Sequence, residues 1–253
     1  MVALDIDGTL CDNFGRLPSD VRAAVRRVRD AGVPVVLSTG RTWMATRPVF
    51  EELGLPPGWA VTSNGAMVVT FPPLTIVYED QFDPADTIQR VVGTAPEAII
   101  AVQEGLKLRA NRPFPDGELS EAPDIEPIEE LASRPVSRII IRDPNASEVS
   151  FQQMTEQLGL HEVSYSIGWS AWLDIAPKGI DKAAGLQRVV DSLGLSAADV
   201  LAIGDGRNDI EMLTWAGRGV AMGNSAAEVK ASADDVTEAF LQGGVANELA
   251  RWF

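Results

Sequence analysis

Val2-Ala-Leu-Asp5-Ile-Asp7-Gly-Thr9, near the start of the chain, is the stretch that decides the fold. An apolar run that ends in two alternating acidic residues and a glycine is typical of a buried strand followed by a tight turn. Residues two apart in a strand point the same way, so we expect Asp5 and Asp7 to project together from the carboxyl end, where open α/β sheets bind ligands. Two carboxylates so close repel each other and favour a cation such as Mg²⁺.

Strand and helix patterns alternate on either side of the middle of the chain. Apolar segments indicate strands at Val33–Ser38, Trp59–Thr62, Val200–Ile203 and Gly219–Met222. Amphipathic helix patterns lie between them: one begins at Ser19, which we expect to be its N-cap, and another covers Ile180–Leu193. This alternation predicts the α/β class, with a Rossmann-like, doubly wound parallel sheet covered by helices on both faces.

The middle of the chain, residues 82–172, has a different composition. Prolines and acidic residues are frequent in Pro113–Pro127, and Arg138–Arg142 is an isolated, isoleucine-rich strand. We therefore expect residues 1–81 and 173–253 to form one core, with residues 82–172 inserted as a small α+β domain.

The composition of the 253-residue chain excludes several classes of partner. A hydrophobic content of 45% and a mean hydropathy of +0.03 indicate an ordinary globular protein. No segment approaches the roughly 20 apolar residues of a membrane span, and the N-terminus does not resemble a signal peptide, so we expect a cytoplasmic protein. A net charge of −15 disfavours nucleic acids and anionic membranes as partners, because both need a basic face.

Single cysteine and histidine residues limit the chemistry further. Cys11 is the only cysteine, which excludes an intramolecular disulfide, and we expect it to be a small, half-buried residue rather than a nucleophile. His161 is the only histidine, so a zinc site with several imidazoles cannot form, and we expect a surface or core role for it.

Polar residues follow three separate predicted strands. They are Asp5 with Asp7, Thr39 with Arg41, and Asp205 with Asn208 and Asp209. Each group alone could be a capped turn with no ligand. Three such groups at one edge of a parallel sheet instead predict a single site.

Four segments, three of which contain these groups, resemble the motifs of the haloacid-dehalogenase (HAD) superfamily. They are DIDGTL at 5–10, STGR at 38–41, PKGIDK at 177–182 and GDGRNDIEML at 204–213. SNGA at 63–66 and AMGNSAAEVK at 221–230 extend the resemblance to the Cof-type phosphatases. That resemblance implies that the inserted domain is a large α/β cap.

The resemblance also implies roles for individual residues in phosphoryl transfer through an aspartyl-phosphate. Asp5 would be the nucleophile and Asp7 the general acid and base. The residues implied to bind phosphate are Thr39, Gly40, Lys182 and Asn208. Mg²⁺ would be held by the Asp5 carboxylate, the Asp7 backbone carbonyl and Asp205, with Asp209 as a direct or supporting ligand. Lys178 is a rival to Lys182, which we prefer because the family's lysine falls just inside a helix.

The substrate implied by the resemblance is a small phosphorylated metabolite, either a sugar phosphate or a phosphorylated cofactor, and the protein would be a monomer or homodimer. Candidate substrate contacts in the cap are Lys107, Arg109, Arg112, Trp169 and Trp172, although surface or packing roles are more expected for each. A phosphomutase of the same fold and a non-catalytic binding module are the alternatives. A dinucleotide-binding oxidoreductase is disfavoured, because Gly204-x-Gly206 lacks the third glycine of the fingerprint.

Overall fold

A computed structural model describes residues 1–12, 14–119, 121–144, 146, 158, 163–167 and 172–253. His161 and Trp169 lie outside the described residues. By its internal contacts the chain divides into two compact units. The first, which we name the core unit, is Met1–Tyr78 with Asp181–Phe253, and the second, the inserted unit, is Glu79–Ile180.

Fourteen strands have described bounds. In chain order they are β1 (Val2–Leu4), β2 (Val35–Ser38), β3 (Gly58–Thr62), β4 (Met67–Phe71), β5 (Thr75–Glu79), β6 (Ile99–Glu104), β7 (Lys107–Ala110), β8 (Asp124–Ile125), β9 (Arg138–Arg142), β10 (Val163–Ile167), β11 (Trp172–Pro177), β12 (Leu201–Gly204), β13 (Arg218–Ala221) and β14 (Asp235–Val236).

The helices with described bounds are mostly short. They are α1 (Ser19–Asp30), α2 (Trp43–Leu53), α3 (Ala85–Thr94), α4 (Ile128–Leu131), α5 (Lys182–Leu193), α6 (Ile210–Trp215), α7 (Ala227–Ala231) and α8 (Gly244–Leu249). Single 3₁₀ turns cover Ser63–Gly65, Ala197–Asp199, Arg207–Asp209 and Phe240–Gln242. None of the helices in the described part of the chain is long and apolar enough to cross a membrane.

The core unit is built on an eight-stranded sheet with the order β14-β13-β12-β1-β2-β3-β4-β5. The pairs from β14 to β3 are parallel, and β4 runs antiparallel to β3. Strand β1 is central: Val2 pairs with Val35 on one side and with Leu201 on the other. The α/β class with a parallel-sheet core is therefore confirmed, whereas the sequence pattern did not indicate β4 and β5.

Burial on both faces explains why the central strands are continuously apolar. All three residues of β1 are buried, as expected of a parallel strand covered by helices on both sides. On one face, Leu186, Val189 and Val190 of α5 pack in one cluster with Ala3 and Ala202. This packing holds α5 against the centre of the sheet.

Helix α1 buries one face as its sequence predicts, but it begins differently. Val21, Val25 and Val28 are all buried, in agreement with the spacing of i, i+4 and i+7. Ser19 is the first helical residue rather than the N-cap; the N-cap is Pro18, and no side chain caps the helix. The Ser19 prediction was wrong because proline, with its fixed φ, occupies the position before the helix.

The inserted unit contains a six-stranded sheet with the order β10-β11-β9-β6-β7-β8. Its neighbouring strands are antiparallel except for the β7–β8 pair. Ile88 and Val91 of α3 pack on one face of this sheet, in the cluster that includes Val102 and Ile139. This α+β unit begins at Glu79 and ends at Ile180, close to the predicted insertion 82–172.

Candidate functional site

Three adjacent parallel strands bring distant segments to one edge of the core sheet. Strands β2, β1 and β12 are neighbours, and their carboxyl ends are followed by Thr39, Asp5 and Asp205 respectively. Backbone bonds fix these exits, since the Asp5 N–H donates to Ile203 O at 3.0 Å and the Thr39 N–H donates to Val61 O at 2.9 Å. The edge that the sequence singles out therefore carries all three groups.

Lys182 is the centre of the site. Its side chain has no exposed surface, and its Nζ donates to Asp5 Oδ1 at 2.7 Å and to Asp209 Oδ1 at 2.6 Å. Lys182 is the first residue of α5, whose N-cap is Asp181 with its side chain accepting from the Ala184 N–H at 2.9 Å. The helix therefore begins at the position that directs this ammonium group into the cluster.

Two glycines allow α5 to lie against the Ser63–Gly65 turn. A Cβ at Gly65 would overlap the carbonyl oxygen of Asp181, and a Cβ at Gly185 would lie 2.5 Å from Val61 Cγ1 and 3.0 Å from the Gly65 Cα. Gly65 also has a φ of +98°, in the left-handed region that favours glycine. The start of α5 thus touches the turn backbone to backbone.

Asp209 is bound on both carboxylate oxygens. Its Oδ2 accepts from the N–H groups of Asp205 and Gly206, each at 2.9 Å, while Oδ1 accepts from Lys182. These bonds fix the loop after β12 as well as the ammonium group. This arrangement favours a supporting role for Asp209 over a direct metal contact.

Asp205 is oriented by two residues that the sequence analysis did not assign. Thr9 Oγ1 donates to Asp205 Oδ1 at 3.1 Å, and Asn224 Nδ2 donates to Oδ2 at 3.1 Å. Gly8, at φ +81°, has no room for a side chain, because a Cβ there would overlap the Asp205 carboxylate. Thr9 belongs to the DIDGTL motif and Asn224 to the AMGNSAAEVK motif, so both were within quoted motifs but without a role.

The charges of this cluster do not balance. Asp5, Asp205 and Asp209 are buried carboxylates, and Lys182 supplies one positive charge among them. Burial, with the charge of Asp209 adding to it, raises the pKa of Asp5 well above its usual range and the pKa of Asp205 to about 7. Burial alone would lower the pKa of Lys182, but Asp209 and Asp5 together raise it above its usual value. Two negative charges remain uncompensated when all three carboxylates are ionised.

The donor set fits a divalent cation. Oxygen atoms of Asp5, Asp205 and Asp209 all lie within 4.8 Å of one another. Carboxylate oxygens are the preferred protein ligands of Mg²⁺, and the uncompensated charge of the cluster equals that of one such ion. The Asp7 side chain is not part of this group, so its predicted contribution through the backbone carbonyl stays a prediction.

Asp7 lies outside the buried cluster. Strand β1 ends at Leu4, and the chain turns after Asp5, with the N–H groups of Leu10 and Cys11 both donating to Ile6 O. The expectation that both carboxylates project together assumed a strand that continues to Asp7. Asp5 instead binds Lys182, whereas the Asp7 side chain is 58% exposed and binds Arg41 through two hydrogen bonds, of 2.5 Å and 2.9 Å.

The predicted phosphate-binding residues surround the Ser63–Gly65 turn. Thr39 is buried and its Oγ1 accepts from the Arg41 N–H at 3.1 Å, while Asn208 Nδ2 donates to Asn64 Oδ1 at 2.9 Å. Gly40 lies against the same Asn64, since a Cβ there would be 3.0 Å from Asn64 Oδ1. Ser63 and Asn64 have φ values of 53° and 54°, an unusual conformation for two consecutive non-glycine residues. Asn64 therefore joins two of the predicted phosphate-binding segments, a role that the SNGA motif alone did not reveal.

Other candidates from the sequence have different surroundings. Lys178 is exposed, so Lys182 and not Lys178 enters the cluster. Cys11 is fully buried, and burial raises the pKa of its thiol to about 11, which disfavours a nucleophilic role.

Three of the residues considered as substrate contacts instead bind or pack against other residues of the inserted unit. Arg109 is almost fully buried and its Nη1 lies 2.8 Å from Glu126 Oε2. Arg112 donates to the Glu97 carbonyl at 2.5 Å, and Trp172 packs edge-on against Phe114. Lys107 is exposed at the start of β7. Packing roles account for the contacts of Arg109, Arg112 and Trp172.

Comparison with known proteins places this geometry in a family. A model of haloacid dehalogenase-like hydrolases matches residues 2–249. A 5-amino-6-(5-phospho-D-ribitylamino)uracil phosphatase of Bacillus subtilis is 29% identical over 252 residues, covering 100% of this chain and 95% of that protein. An HMP-PP phosphatase of Yersinia pseudotuberculosis is 26% identical over 261 residues, covering 100% and 94%.

A solved structure agrees with the sequence relatives. The crystal structure of a haloacid dehalogenase-like hydrolase from Bacteroides thetaiotaomicron is similar, with a TM-score of 0.83 and 25% identity, and the match covers 100% of this chain and 98% of that one. Fold, motifs and relatives therefore agree over almost the entire length. The chain belongs to the haloacid dehalogenase-like hydrolase family and is an enzyme of the phosphatase type, as its motifs predict.

Proposed function

We propose that this protein is a Mg²⁺-dependent phosphatase that hydrolyses a small phosphorylated metabolite through an aspartyl-phosphate intermediate. The observation that carries this proposal is the fully buried ammonium group of Lys182, which contacts Asp5 and Asp209 at the carboxyl edge of a parallel sheet. Buried carboxylates in excess of their cations are costly unless the site binds a ligand that completes the charge. A phosphorylated substrate together with a divalent cation is such a ligand.

In the first chemical step, Asp5 acts as the nucleophile. Lys182 engages Oδ1 of Asp5, and the other oxygen, Oδ2, attacks the phosphorus. An Oδ2–P bond forms while the bond from phosphorus to the leaving oxygen breaks. Asp7 donates its proton to that oxygen, which departs as an alcohol.

In the second step, water replaces the leaving group. Asp7, now ionised, takes a proton from the water as its oxygen attacks the phosphorus. The Oδ2–P bond breaks, and Asp5 is restored as a carboxylate. The products are inorganic phosphate and an enzyme in which Asp7 again carries its proton.

The remaining phosphoryl oxygens are bound by Lys182, Thr39, Gly40 and Asn208. Lys182 places positive charge where the transition state spreads negative charge. The Thr39 hydroxyl oxygen accepts from the Arg41 N–H, so its proton points away from that N–H and can be donated to a phosphoryl oxygen. Asn208 has a second amide proton besides the one given to Asn64.

Asp5, Asp205 and the backbone carbonyl of Asp7 would hold Mg²⁺, and Asp209 would support the site by fixing Lys182 and the loop after β12. When bound, Mg²⁺ shields the incoming phosphoryl group from the negative charge of the nucleophile. This local cation is necessary because the chain as a whole carries a net charge of −15.

The substrate class is supported by the names of the relatives. The Bacillus subtilis relative is named as a phosphatase of a phosphoribitylaminouracil and the Yersinia relative as a phosphatase of HMP-PP. We infer that this protein also acts on a small phosphorylated metabolite, a sugar phosphate or a phosphorylated cofactor. The cap role of the inserted unit, the cytoplasmic location and the monomeric or dimeric state stay predictions.

The central test is the substitution Asp5→Asn. With p-nitrophenyl phosphate and Mg²⁺, we expect kcat to fall by at least about 10³-fold, because an amide cannot attack phosphorus in place of a carboxylate. Far-UV circular dichroism checks the fold, and Asp20→Asn, an exposed aspartate in the first turn of α1, is the matched control. Activity of Asp5→Asn at the wild-type level would remove Asp5 from the mechanism, and activity that survives exhaustive chelation would remove Mg²⁺.

A second measurement separates hydrolysis from the phosphomutase alternative and identifies the substrate. Wild-type protein is incubated with a panel of phosphorylated sugars and cofactors, and released phosphate is quantified against substrate consumed. We expect one phosphate for each substrate molecule. Isomerised phosphoester without free phosphate would instead show a mutase.

A further inference from the structure

The structure contains an arginine that the proposed mechanism does not use. We propose that Arg41 is the positioning residue of the acid–base group Asp7, holding its carboxylate in the orientation from which it exchanges protons with the leaving group and with water. This inference rests on the proposed function, because it concerns the same reaction. It assigns to the STGR segment a role beyond phosphate binding by Thr39 and Gly40.

The contact between the two side chains is bidentate. Arg41 Nη2 donates to Asp7 Oδ1 at 2.5 Å, and Arg41 Nε donates to Asp7 Oδ2 at 2.9 Å. A planar guanidinium that engages both oxygens fixes the direction of the carboxylate as well as its position. A single-point contact, such as a lysine would make, would leave the carboxylate free to rotate.

Arg41 itself is held from several sides. Its backbone N–H donates to Thr39 Oγ1 at 3.1 Å, its carbonyl accepts from the Ser63 N–H at 2.8 Å, and its Nη1 lies 3.4 Å from the carbonyl oxygen of Ala45. Only 23% of its side chain is exposed. The arginine is therefore a fixed support that connects the segment after β2 with the turn after β3.

Asp7 depends on this support because its own surroundings are open. Its side chain is 58% exposed, and it lies within the turn that follows β1 rather than in the strand. An exposed aspartate samples several rotamers, and a proton-transfer group that is displaced by about 1 Å can cost about 10²-fold in rate. The bidentate contact selects one orientation of the carboxylate and leaves a second lone pair on each oxygen, where the exchanged proton is carried.

The geometry disfavours the rival role, in which Arg41 binds the phosphoryl group directly. Two of its three nitrogens, Nε and Nη2, bind Asp7, and the third, Nη1, points to a backbone carbonyl. The guanidinium therefore directs its paired N–H donors, on Nε and Nη2, at the carboxylate of Asp7. A phosphate-binding arginine would instead direct a pair of N–H donors at the phosphoryl group of the substrate.

Leaving groups of different acidity provide the test. The probes are p-nitrophenyl phosphate, whose phenolate departs without a proton, and p-nitrobenzyl phosphate, whose alkoxide needs one. Release of the first product is followed in single turnovers with Mg²⁺ and enzyme in excess, so that the later hydrolysis step does not contribute. For Arg41→Ala, we expect the p-nitrobenzyl rate to fall about 10²-fold and the p-nitrophenyl rate to change less than about threefold.

Three variants make the result specific. Arg41→Lys keeps the positive charge but cannot form the bidentate contact. We expect its p-nitrobenzyl rate to lie between those of Arg41→Ala and wild type. Arg47→Ala, which removes an exposed arginine paired with Glu51 on α2, is the matched control and should match wild type on both probes. Asp7→Ala reports the effect of losing the acid itself and should show the same selectivity for the p-nitrobenzyl ester.

Each outcome has a distinct meaning. Equal losses on both probes with Arg41→Ala, or a rise in KM without a change in the single-turnover rate, would overturn the positioning role and favour phosphate binding or a structural role. If Asp7→Ala shows no selectivity between the probes, the acid–base assignment fails instead. If wild-type protein hydrolyses neither ester, the proposed function itself fails.

Discussion

Lys182 in the core unit and Arg109 in the inserted unit are both buried cations that face carboxylates, yet their surroundings differ. The partners of Lys182 are themselves buried, with Asp209 fully so. Arg109 contacts Glu126 and Glu104, whose side chains keep 29% and 38% of their surface exposed to water. The carboxylates of the first cluster are almost fully buried, whereas those of the second remain partly hydrated.

The two clusters also differ in charge balance. Two arginines, Arg109 and Arg134, face the two carboxylates Glu104 and Glu126 in the inserted unit, so that this group is neutral. In the core unit, three carboxylates share the single ammonium group of Lys182. A charge-balanced, partly hydrated cluster needs no ligand and can stabilise the fold by itself. A buried cluster with excess negative charge needs a ligand, which is why the comparison indicates the site.

Among the variants that test this comparison, we expect Lys182→Met to lose the most stability. Removal of the ammonium group leaves the buried carboxylates without a cation, and breaking a buried ion pair costs about 3–5 kcal/mol of unfolding free energy. We expect a decrease of that size in urea denaturation of the Mg²⁺-free protein, together with loss of phosphatase activity. Lys178→Met, which changes an exposed lysine four residues earlier, is the control and should stay within about 0.5 kcal/mol of wild type.

A stability of Lys182→Met equal to that of Lys178→Met would show that the carboxylates tolerate the loss of their cation. The charge-excess interpretation of the cluster would then be wrong. Lys182→Arg offers a second comparison, since it keeps the charge but is too large for a fully buried position. We expect it to be more stable than Lys182→Met and still to lose activity.

The second prediction concerns pH and Mg²⁺. Asp205 has a folded-state pKa of about 7 against an ordinary value of 3.8, so the folded protein binds this proton more tightly than the unfolded chain does. Its contribution to stability is therefore fully present below pH of about 4 and is lost as pH rises through about 7. The raised pKa of Asp5 acts in the same direction. We expect the melting temperature of the metal-free protein to fall over this range.

Addition of Mg²⁺ should reverse that trend, because the ion binds the ionised carboxylates. At a concentration 100 times its Kd, the ion should stabilise the folded protein by about 2.7 kcal/mol. Differential scanning calorimetry at pH of about 5.5 and about 8, with Mg²⁺ or with EDTA, measures both effects. A Mg²⁺ stabilisation that is larger at the lower pH would contradict the ligand assignment.

The smallest effect is expected in the inserted unit. For Arg109→Met, Glu126 and Glu104 keep their access to water and their contacts with Arg134, so we expect a loss of only about 1–2 kcal/mol. We also expect KM for p-nitrophenyl phosphate to remain within about twofold, because the arginine serves packing in this interpretation. A large rise in KM with unchanged stability would restore Arg109 as a substrate contact.

Much of the core sheet could be predicted because its strands carry strong local signals. Val35–Ser38 and Leu201–Gly204 are apolar runs bounded by turn residues, and their parallel pairing with β1 followed from the βα alternation. Strands β4 and β5 were missed for a physical reason. They follow a turn in which Ser63 and Asn64 take left-handed conformations that sequence patterns rarely reveal, and no residue of β5 is fully buried.

The site was predictable to the extent that backbone topology determines it. Asp5 and Asp205 follow adjacent strands, so their proximity followed from the sheet, and Lys182 could be placed in the first turn of a helix. The contacts of Arg41 with Asp7, and of Asn224 with Asp205, could not be derived in this way. They depend on long or rotatable side chains that meet across distant segments, and spacing along the sequence does not determine such meetings.

The close approach of α5 to the Ser63–Gly65 turn affects the distance between Lys182 and Asp5. Gly185 lies inside the helix, where glycine costs about 0.5–1 kcal/mol relative to alanine. In exchange, the helix axis lies near enough for the Lys182 side chain, a chain of fixed length, to span the gap to Asp5. A methyl group at position 185 would collide with Val61 and the Gly65 backbone, and we expect the resulting shift of the helix to lengthen that gap. An uncharged residue one turn along the helix would then determine whether the ammonium group reaches the nucleophile.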